Sequence, residues 1–288
     1  MQILTSPEEL RLACDRYRSR NRRVGLVPTM GALHQGHLSL VDTVRKAGAT
    51  RVVLTIFVNP TQFGPKEDFE RYPKTLVEDL SLCREKEVDL VFAPETAALY
   101  PPGYQTHVEA TEITREFEGR FRPVHFRGVT TIVAKLFNLT GPCVAAFGRK
   151  DYQQWRVIET MTRDLNLPIE ILGSPTVRES DGLAMSSRNR YLNPEERRRA
   201  RAIYQGLLSA RNAFTAGERK PLTLEQIVRS SIESSFDSID YVSLADPLSL
   251  VPCRSETVER AVILVAAHLG ATRLIDNTVL GEDDLLLS

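Results

Sequence analysis

Thr29–His37 is where this chain gathers residues able to handle an anion. His34 and His37 stand three apart, flanked by Gly31 and Gly36, after the apolar run Val24–Val27 and before the helical spacing Leu38, Val41, Val44. A strand, a Gly-containing loop and a helix start leave backbone N–H groups at the helix N-terminus, where they favour a phosphate. Histidines three apart share a helix face and add side-chain donors. The glycines let the backbone approach a ligand closely. The competing readings are incidental surface histidines on a turn, or a zinc site. Zinc needs further ligands, and the remaining histidines are only His107, His125 and His268.

Three more segments carry comparable chemistry. Arg51–Phe57 is followed by Val58–Gly64, which contains Gln62. Val144–Phe147 is followed by Gly148-Arg149-Lys150-Asp151, where Lys150 suits a phosphate and Asp151 a helix cap or a ribose. Ile169–Leu172 is followed, after a connector, by Asp181-Gly182 and Met185-Ser186-Ser187-Arg188-Asn189. Two hydroxyls and a guanidinium there could close over triphosphate oxygens from an exposed, mobile loop. Gln62 and Gln154 are neutral amides suited to the hydroxyl and carboxylate groups of a small substrate.

The elements that must position these residues alternate. Gln2–Leu4, Val24–Val27, Arg51–Phe57, Asp89–Phe92, Val144–Phe147 and Ile169–Leu172 read as strands. Between them, helices start at Ser6-Pro7-Glu8-Glu9 and at Thr75 with Glu78, both by the capping pattern. Others run through Leu38–Val44, Val129–Leu139 and Asp151–Leu165. Strand–helix–strand alternation implies an α/β fold, a parallel sheet covered by helices on both faces. Ligands of such sheets bind beyond the carboxyl ends of the strands, so the four loops would open on one edge. The alternation stops near Gly173–Pro175. Two charged helices, Pro194–Ala216 and Leu222–Ser235, and three apolar runs, Ile239–Leu244, Arg260–Ala267 and Thr272–Ile275, then suggest a smaller α+β domain.

Composition bounds the function class. The chain has 288 residues, and its 37 Lys and Arg balance its 37 Asp and Glu. A dedicated nucleic-acid binder usually carries a basic excess. The cysteines Cys14, Cys83, Cys143 and Cys253 are scattered without CxxC spacing, which fits a reducing cytosol. The N-terminal apolar stretches are short and interrupted by charge, unlike a signal peptide. The longest apolar run, Ala261–Ala267, is too short to span a bilayer. These features lead us to expect a cytoplasmic protein with no nucleic acid or membrane as partner.

Val27-Pro28-Thr29-Met30-Gly31 with Leu33-His34-Gln35-Gly36-His37 resembles the HxGH signature of the nucleotidylyltransferase superfamily, which includes class I aminoacyl-tRNA synthetases. Phe57–Phe63, Arg71-Tyr72-Pro73, His125–Val129, Lys150–Gln154 and Asp181–Asn189 narrow the resemblance to the pantoate–β-alanine ligases, from about Val24 to Asn277. The resemblance implies a Rossmann-like domain, 1–173, binding ATP and pantoate, and a C-terminal domain, 174–288, carrying the Met185–Asn189 segment. It implies ATP-dependent condensation of (R)-pantoate with β-alanine through a pantoyl-adenylate, releasing AMP and pyrophosphate. ATP would be held by Met30, Gly31, Ala32, Leu33, His34, Gln35, Gly36 and His37. Gly148, Arg149, Lys150, Asp151, Val177, Met185, Ser186, Ser187 and Arg188 would complete that set. His37 would be the catalytic proton donor and His34 a phosphate contact. Gln62 and Gln154 would bind pantoate, and His125 would lie near the β-alanine entry. The family uses Mg²⁺, which puts Glu78 or Asp79 forward as the metal-associated acid, Glu78 first. The family is typically homodimeric. One departure stands out: the family usually has Gly-Glu-Lys-Asp where this chain has Gly148-Arg149-Lys150-Asp151, a charge reversal that only a backbone contact to ATP survives intact.

Overall fold

The computed structural model describes residues 1–65 and 67–281, so 282–288 of the expected second domain lie outside the described residues. The described chain divides into two compact units. The first comprises Met1–Arg149 and Gln154–Ser174, the second Lys150–Gln153 and Pro175 onward.

The first unit is built on strands β1 (Gln2–Leu4), β2 (Val24–Thr29), β3 (Arg51–Ile56), β4 (Leu90–Phe92), β5 (Cys143–Gly148) and β6 (Ile169–Ser174). They form one sheet in the order β1-β4-β3-β2-β5-β6, every pairing parallel. The helices are α1 (Pro7–Ser19), α2 (Gln35–Lys46), α3 (Leu76–Glu85), the short α4 (Thr96–Leu99) and α5 (Glu118–Phe121), α6 (His125–Thr140) and α7 (Tyr152–Asp164).

Neighbouring strand residues point to opposite faces, and here both faces are apolar. Leu26, Val53, Leu90, Phe92, Ala145 and Phe147 enter one core with α1, α6 and α7. Val27, Val52, Leu54, Val91, Val144 and Ala146 enter another with α2 and α3. The expected α/β fold with helices on both faces is therefore what forms. Gly25 serves this packing, because a Cβ there would lie 2.7 Å from the Ala49 side chain.

The second unit contains α8 (Pro194–Ala200), α9 (Ala202–Thr215) and α10 (Pro221–Glu233) with strands β7 (Ser238–Ala245), β8 (Ala261–Leu269) and β9 (Thr272–Leu280). The strands pair antiparallel in the order β7-β8-β9. Leu207, Leu224, Val228, Ile232, Leu244 and Ile263 belong to this unit's own core. This is the smaller α+β part expected after the sheet.

Several local expectations need correction. The helix expected over Pro194–Ala216 is two helices, broken at Arg201. The helix expected from Val129 begins at His125, which puts His125 in its first turn. Thr75 does precede α3 but makes no side-chain cap. Its hydroxyl donates instead to Asp79 Oδ2 at 3.2 Å. The Met185–Arg188 segment is no extended exposed loop. Ser187–Tyr191 is a 3₁₀ turn capped by Ser186 Oγ, which accepts from Arg188 N–H at 3.3 Å; Ser187 is buried and Arg188 half-buried.

Candidate active site

In the six-stranded sheet the chain moves outward in one direction from β2 through β3 to β4, and in the other from β5 to β6. The switch point lies between β2 and β5, and ligands of open α/β sheets bind there. β2 pairs with β3 along all of Val24–Thr29, but with β5 only at Gly25–Val144 and Leu26–Ala145. The carboxyl halves of these two strands therefore part. The segment after β2 and Gly148-Arg149 after β5 flank the opening. A Cβ on Gly148 would meet nothing within 4 Å.

The segment after β2 is tightly bonded. Buried Thr29 donates its hydroxyl to the Thr55 carbonyl at 2.6 Å and accepts Gly31 N–H at 3.1 Å. Gly31 (φ +81°) and Ala32 (φ +50°) are both left-handed. Asp79 accepts Ala32 N–H at 3.0 Å through Oδ2 and Leu33 N–H at 2.7 Å through Oδ1.

His34 is the N-cap of α2: its Nδ1 accepts Gly36 N–H at 3.1 Å. His37 Nδ1 accepts His34 N–H at 3.3 Å, so the two imidazoles form a reciprocal capping box. An Nδ1 that accepts cannot carry the proton of a neutral ring. The proton then sits on Nε2, and each ring presents an Nε2–H donor. The ring centroids are 4.0 Å apart. A helix start after a Gly-containing loop is expected to meet a phosphate with free backbone N–H groups. Those of Gly31, Ala32, Leu33, His34 and Gly36 are instead engaged within the loop and by Asp79.

The segment after β3 is built around Asn59, only 1% exposed. Asn59 Nδ2 donates to Gln62 Oε1 at 3.0 Å and to the Gly128 carbonyl at 3.1 Å. Gln62 Nε2 in turn donates to Met30 Sδ at 3.1 Å. This fixes the orientation of the buried Gln62 amide and brings it beside the β2 loop. Ala32, Phe63 and Tyr72 pack with Met30, Val58 and Phe69 to seal that contact. Gly128 is required: a Cβ there would lie 2.4 Å from the Thr61 carbonyl oxygen.

His125 is buried, and its Nδ1 lies 3.0 Å from the Gln62 carbonyl. An acceptor facing Nδ1 puts the proton there, so His125 supports the Gln62 backbone. Burial first, and the nearby Arg122 second, push its pKa down to about 4, against the Gln62 carbonyl, Glu118 and Glu67. Gln154 lies half-buried in the first turn of α7.

Arg149 lies against an aromatic ring. Its guanidinium carbon sits 5.2 Å from the centre of the Trp155 ring, which Arg156 approaches at the same distance. Trp155 lies against Gly173, where a Cβ would come within 2.6 Å of the indole. The reversed charge is thus stacked on α7.

In the second unit, Val177 through Met185 forms a short hairpin. Met185 N–H donates to the Val177 carbonyl at 3.0 Å, and Arg178 bridges to Ala184. The Arg178 guanidinium pairs with both Asp276 oxygens, at 2.6 and 3.1 Å, and stacks 4.5 Å from the centre of the Tyr204 ring. The neighbouring Asn277 donates from Nδ2 to the Lys150 carbonyl at 2.8 Å. Lys150 Nζ lies 3.7 Å from Asp151 Oδ1. One strand, β9, therefore holds both the Lys150 peptide and the root of the hairpin that leads into Met185–Arg188.

Glu78 is exposed on the first turn of α3, whereas Asp79 is buried with both oxygens engaged. Among the described residues no three His, Cys, Asp or Glu side chains gather as a metal cage. This donor set fits Mg²⁺ only as an ion carried on nucleotide phosphates with at most one carboxylate from the chain.

Residue types and spacing do not single out Asn59, Asp276 or Asn277. Asn59 stood inside a quoted motif, and the Asn-Pro start of a turn was its available signal. The partners of Asp276 and Asn277 lie 98 and 127 residues away, which no local pattern reveals.

A family profile described as pantoate-beta-alanine ligase matches residues 2–279. A pantothenate synthetase of Bradyrhizobium diazoefficiens is 51% identical over 280 residues, covering 97% of this chain and 98% of that one. One from Thermotoga neapolitana is 49% identical, with coverages of 98% and 100%. The crystal structure of pantothenate synthetase from Thermus thermophilus superposes with a TM-score of 0.91 at 44% identity, covering 96% and 99%. The Francisella tularensis ligase, crystallised with a β,γ-ATP compound and β-alanine, gives 0.80 at 31% identity, covering 97% of each chain.

Proposed function

The chain belongs to the pantoate-beta-alanine ligase family, the pantothenate synthetases, and from that premise we propose how its residues divide the work of joining pantoate to β-alanine with ATP. A carboxylate is a poor acyl donor because its leaving group would be oxide. In the proposed first step the pantoate carboxylate attacks the α-phosphate of ATP in line, and pyrophosphate leaves. In the second the β-alanine amine attacks the acyl carbon, and AMP leaves with the bonding pair.

The observation that carries this reading is the imidazole pair. Both rings have Nδ1 committed to backbone N–H groups and so offer Nε2–H donors at the switch-point edge of the sheet. Donors aimed at phosphate oxygens stabilise the charge that develops there. His37 is the proposed proton donor and His34 a phosphate contact, within the Met30–His37 segment. Gly148, Arg149 through its backbone, Lys150, Asp151, Val177, Met185, Ser186, Ser187 and Arg188 are the further ATP residues. Gln62 and Gln154 take pantoate; the Asn59–Gln62–Met30 chain of hydrogen bonds supports Gln62 in that role. Mg²⁺ arriving on the triphosphate would neutralise its charge, with exposed Glu78 the acid available to it.

A homodimer in the cytoplasm completes the proposal. Unbridged Cys14, Cys83, Cys143 and Cys253 suit a reducing compartment, and no described helix is long and apolar enough to cross a membrane. The test is ATP–pyrophosphate exchange with and without pantoate, followed by AMP release on adding β-alanine. Exchange that requires pantoate is expected. Exchange that ignores pantoate, or a product retaining the nucleotide, would reject the reading.

A further inference from the structure

We infer that Asp79 is a positioning residue for the two histidines: its buried carboxylate clamps the left-handed turn that sets the start of α2. The inference rests on reading His34 and His37 as phosphate donors, and it gives Asp79 a task other than holding a metal.

The turn is costly by itself. Gly31 and Ala32 are successively left-handed, and Ala32 carries a Cβ that disfavours this conformation. Such geometry persists only where neighbours over-determine it. Asp79 supplies that determination from α3, 47 residues downstream of Ala32. Oδ2 takes Ala32 N–H and Oδ1 takes Leu33 N–H, while the Thr75 hydroxyl donates to Oδ2. The carboxylate is 2% exposed. It also closes the space over the turn, since a Cβ on Gly31 would lie 3.0 Å from Oδ2. Residue 33 leads directly into the His34 cap, so the clamp fixes the direction from which α2 begins. That direction sets both Nε2–H vectors.

A carboxylate whose two oxygens accept three donors is ill placed to ligate a cation as well. The metal and clamp roles therefore separate experimentally. In the full-length enzyme, Asp79→Asn replaces one acceptor by a donor facing a backbone N–H. Pantoate-dependent exchange should show kcat lowered at least tenfold, with KM for pantoate and the Mg²⁺ concentration for half-activity each within twofold of wild type. Asp79→Glu, which keeps both acceptors, should recover part of the loss. Unchanged kcat in Asp79→Asn overturns the inference. So does a raised Mg²⁺ requirement with activity restored by excess Mg²⁺, which would make Asp79 a metal ligand. If Asp79→Asn does not fold, Thr75→Val removes only the hydroxyl donated to Oδ2. A twofold to fivefold fall in kcat is then expected, and wild-type kcat overturns the inference. His37→Ala in the same assay separates the two levels. If it keeps full turnover, the histidine reading fails; if it loses turnover while Asp79→Asn does not, the clamp alone fails.

Discussion

In the proposed mechanism His34 has two jobs that substitutions can separate. Its Nδ1 caps α2, and its Nε2 is the nitrogen assigned to phosphate. Asparagine is among the best N-caps and has no imidazole. His34→Asn should therefore keep the melting temperature close to wild type while lowering kcat. His34→Ala should lose kcat and also about 1 kcal/mol of stability. Thermal melts beside exchange kinetics check this; equal stability loss in both variants would mean that the ring does not cap the helix. His37→Ala should lower kcat by roughly 10²–10³-fold, the usual cost of one transition-state donor, and wild-type turnover would remove its assigned role. His125 gives a different signature. Burial, with Arg122 second, holds its pKa at about 4, below the ordinary 6.5, against the pull of Glu118 and Glu67. Below pH 6.5 the unfolded chain takes up a proton that the folded chain refuses, so the stability contribution is full above 6.5 and is lost as pH falls toward 4. His125→Asn, which keeps an N–H for the Gln62 carbonyl, should flatten the pH dependence of the urea midpoint in that window. An unchanged slope would show that His125 titrates normally.

At the scale of elements, much was legible and some was not, for reasons visible in particular residues. Short apolar runs announced all six strands of the sheet, and the central ones did so because a strand covered on both faces has no polar side to interrupt it. The α1 start was readable from Ser6 and Glu9, and Ser6 does accept the Glu9 N–H. The same pattern at Thr75 located the start of α3 but not its cap, because a buried carboxylate one turn on takes the hydroxyl. The extra turn of α6 ahead of Val129 was hidden because its polar His125 breaks the apolar pattern, while that side chain is in fact buried against the Gln62 turn. The HxGH loop stood out from spacing alone, but its N–H accounting did not, since Asp79 lies far along the chain from Ala32 and Leu33. β9 shows the same limit. Asn277 holds the Lys150 carbonyl at 2.8 Å, and no periodicity links them. Asn277→Ala should displace that peptide, raising KM for ATP severalfold, while costing only about 1 kcal/mol, the typical net worth of one hydrogen bond. Unaltered ATP kinetics with unaltered stability would reduce the bond to an incidental contact.

At the scale of the whole molecule, the chain leaves the first unit at Lys150, returns at Gln154 and leaves again after Ser174. A cut at residue 149 would remove α7 and β6, and with them Ile158, Met161 and Ile169 from the sheet's core. A cut after Ser174 keeps all six strands and both cores that cover them. Domain cores of this kind fold as units, so the fragment 1–174 should unfold cooperatively in urea with an α/β circular dichroism spectrum. The fragment 1–149 should not, because it exposes the β5 edge and empties part of the apolar face beneath α7. Pantoate-dependent exchange should be absent from 1–174, because Met185–Arg188 belongs to the second unit. The two readouts divide the proposal cleanly. Non-cooperative unfolding of 1–174 would mean that its core is not self-sufficient. Exchange activity in a well-folded 1–174 would mean that Ser186, Ser187 and Arg188 are dispensable for adenylation, and would move the phosphate chemistry wholly onto His34, His37 and the switch-point edge.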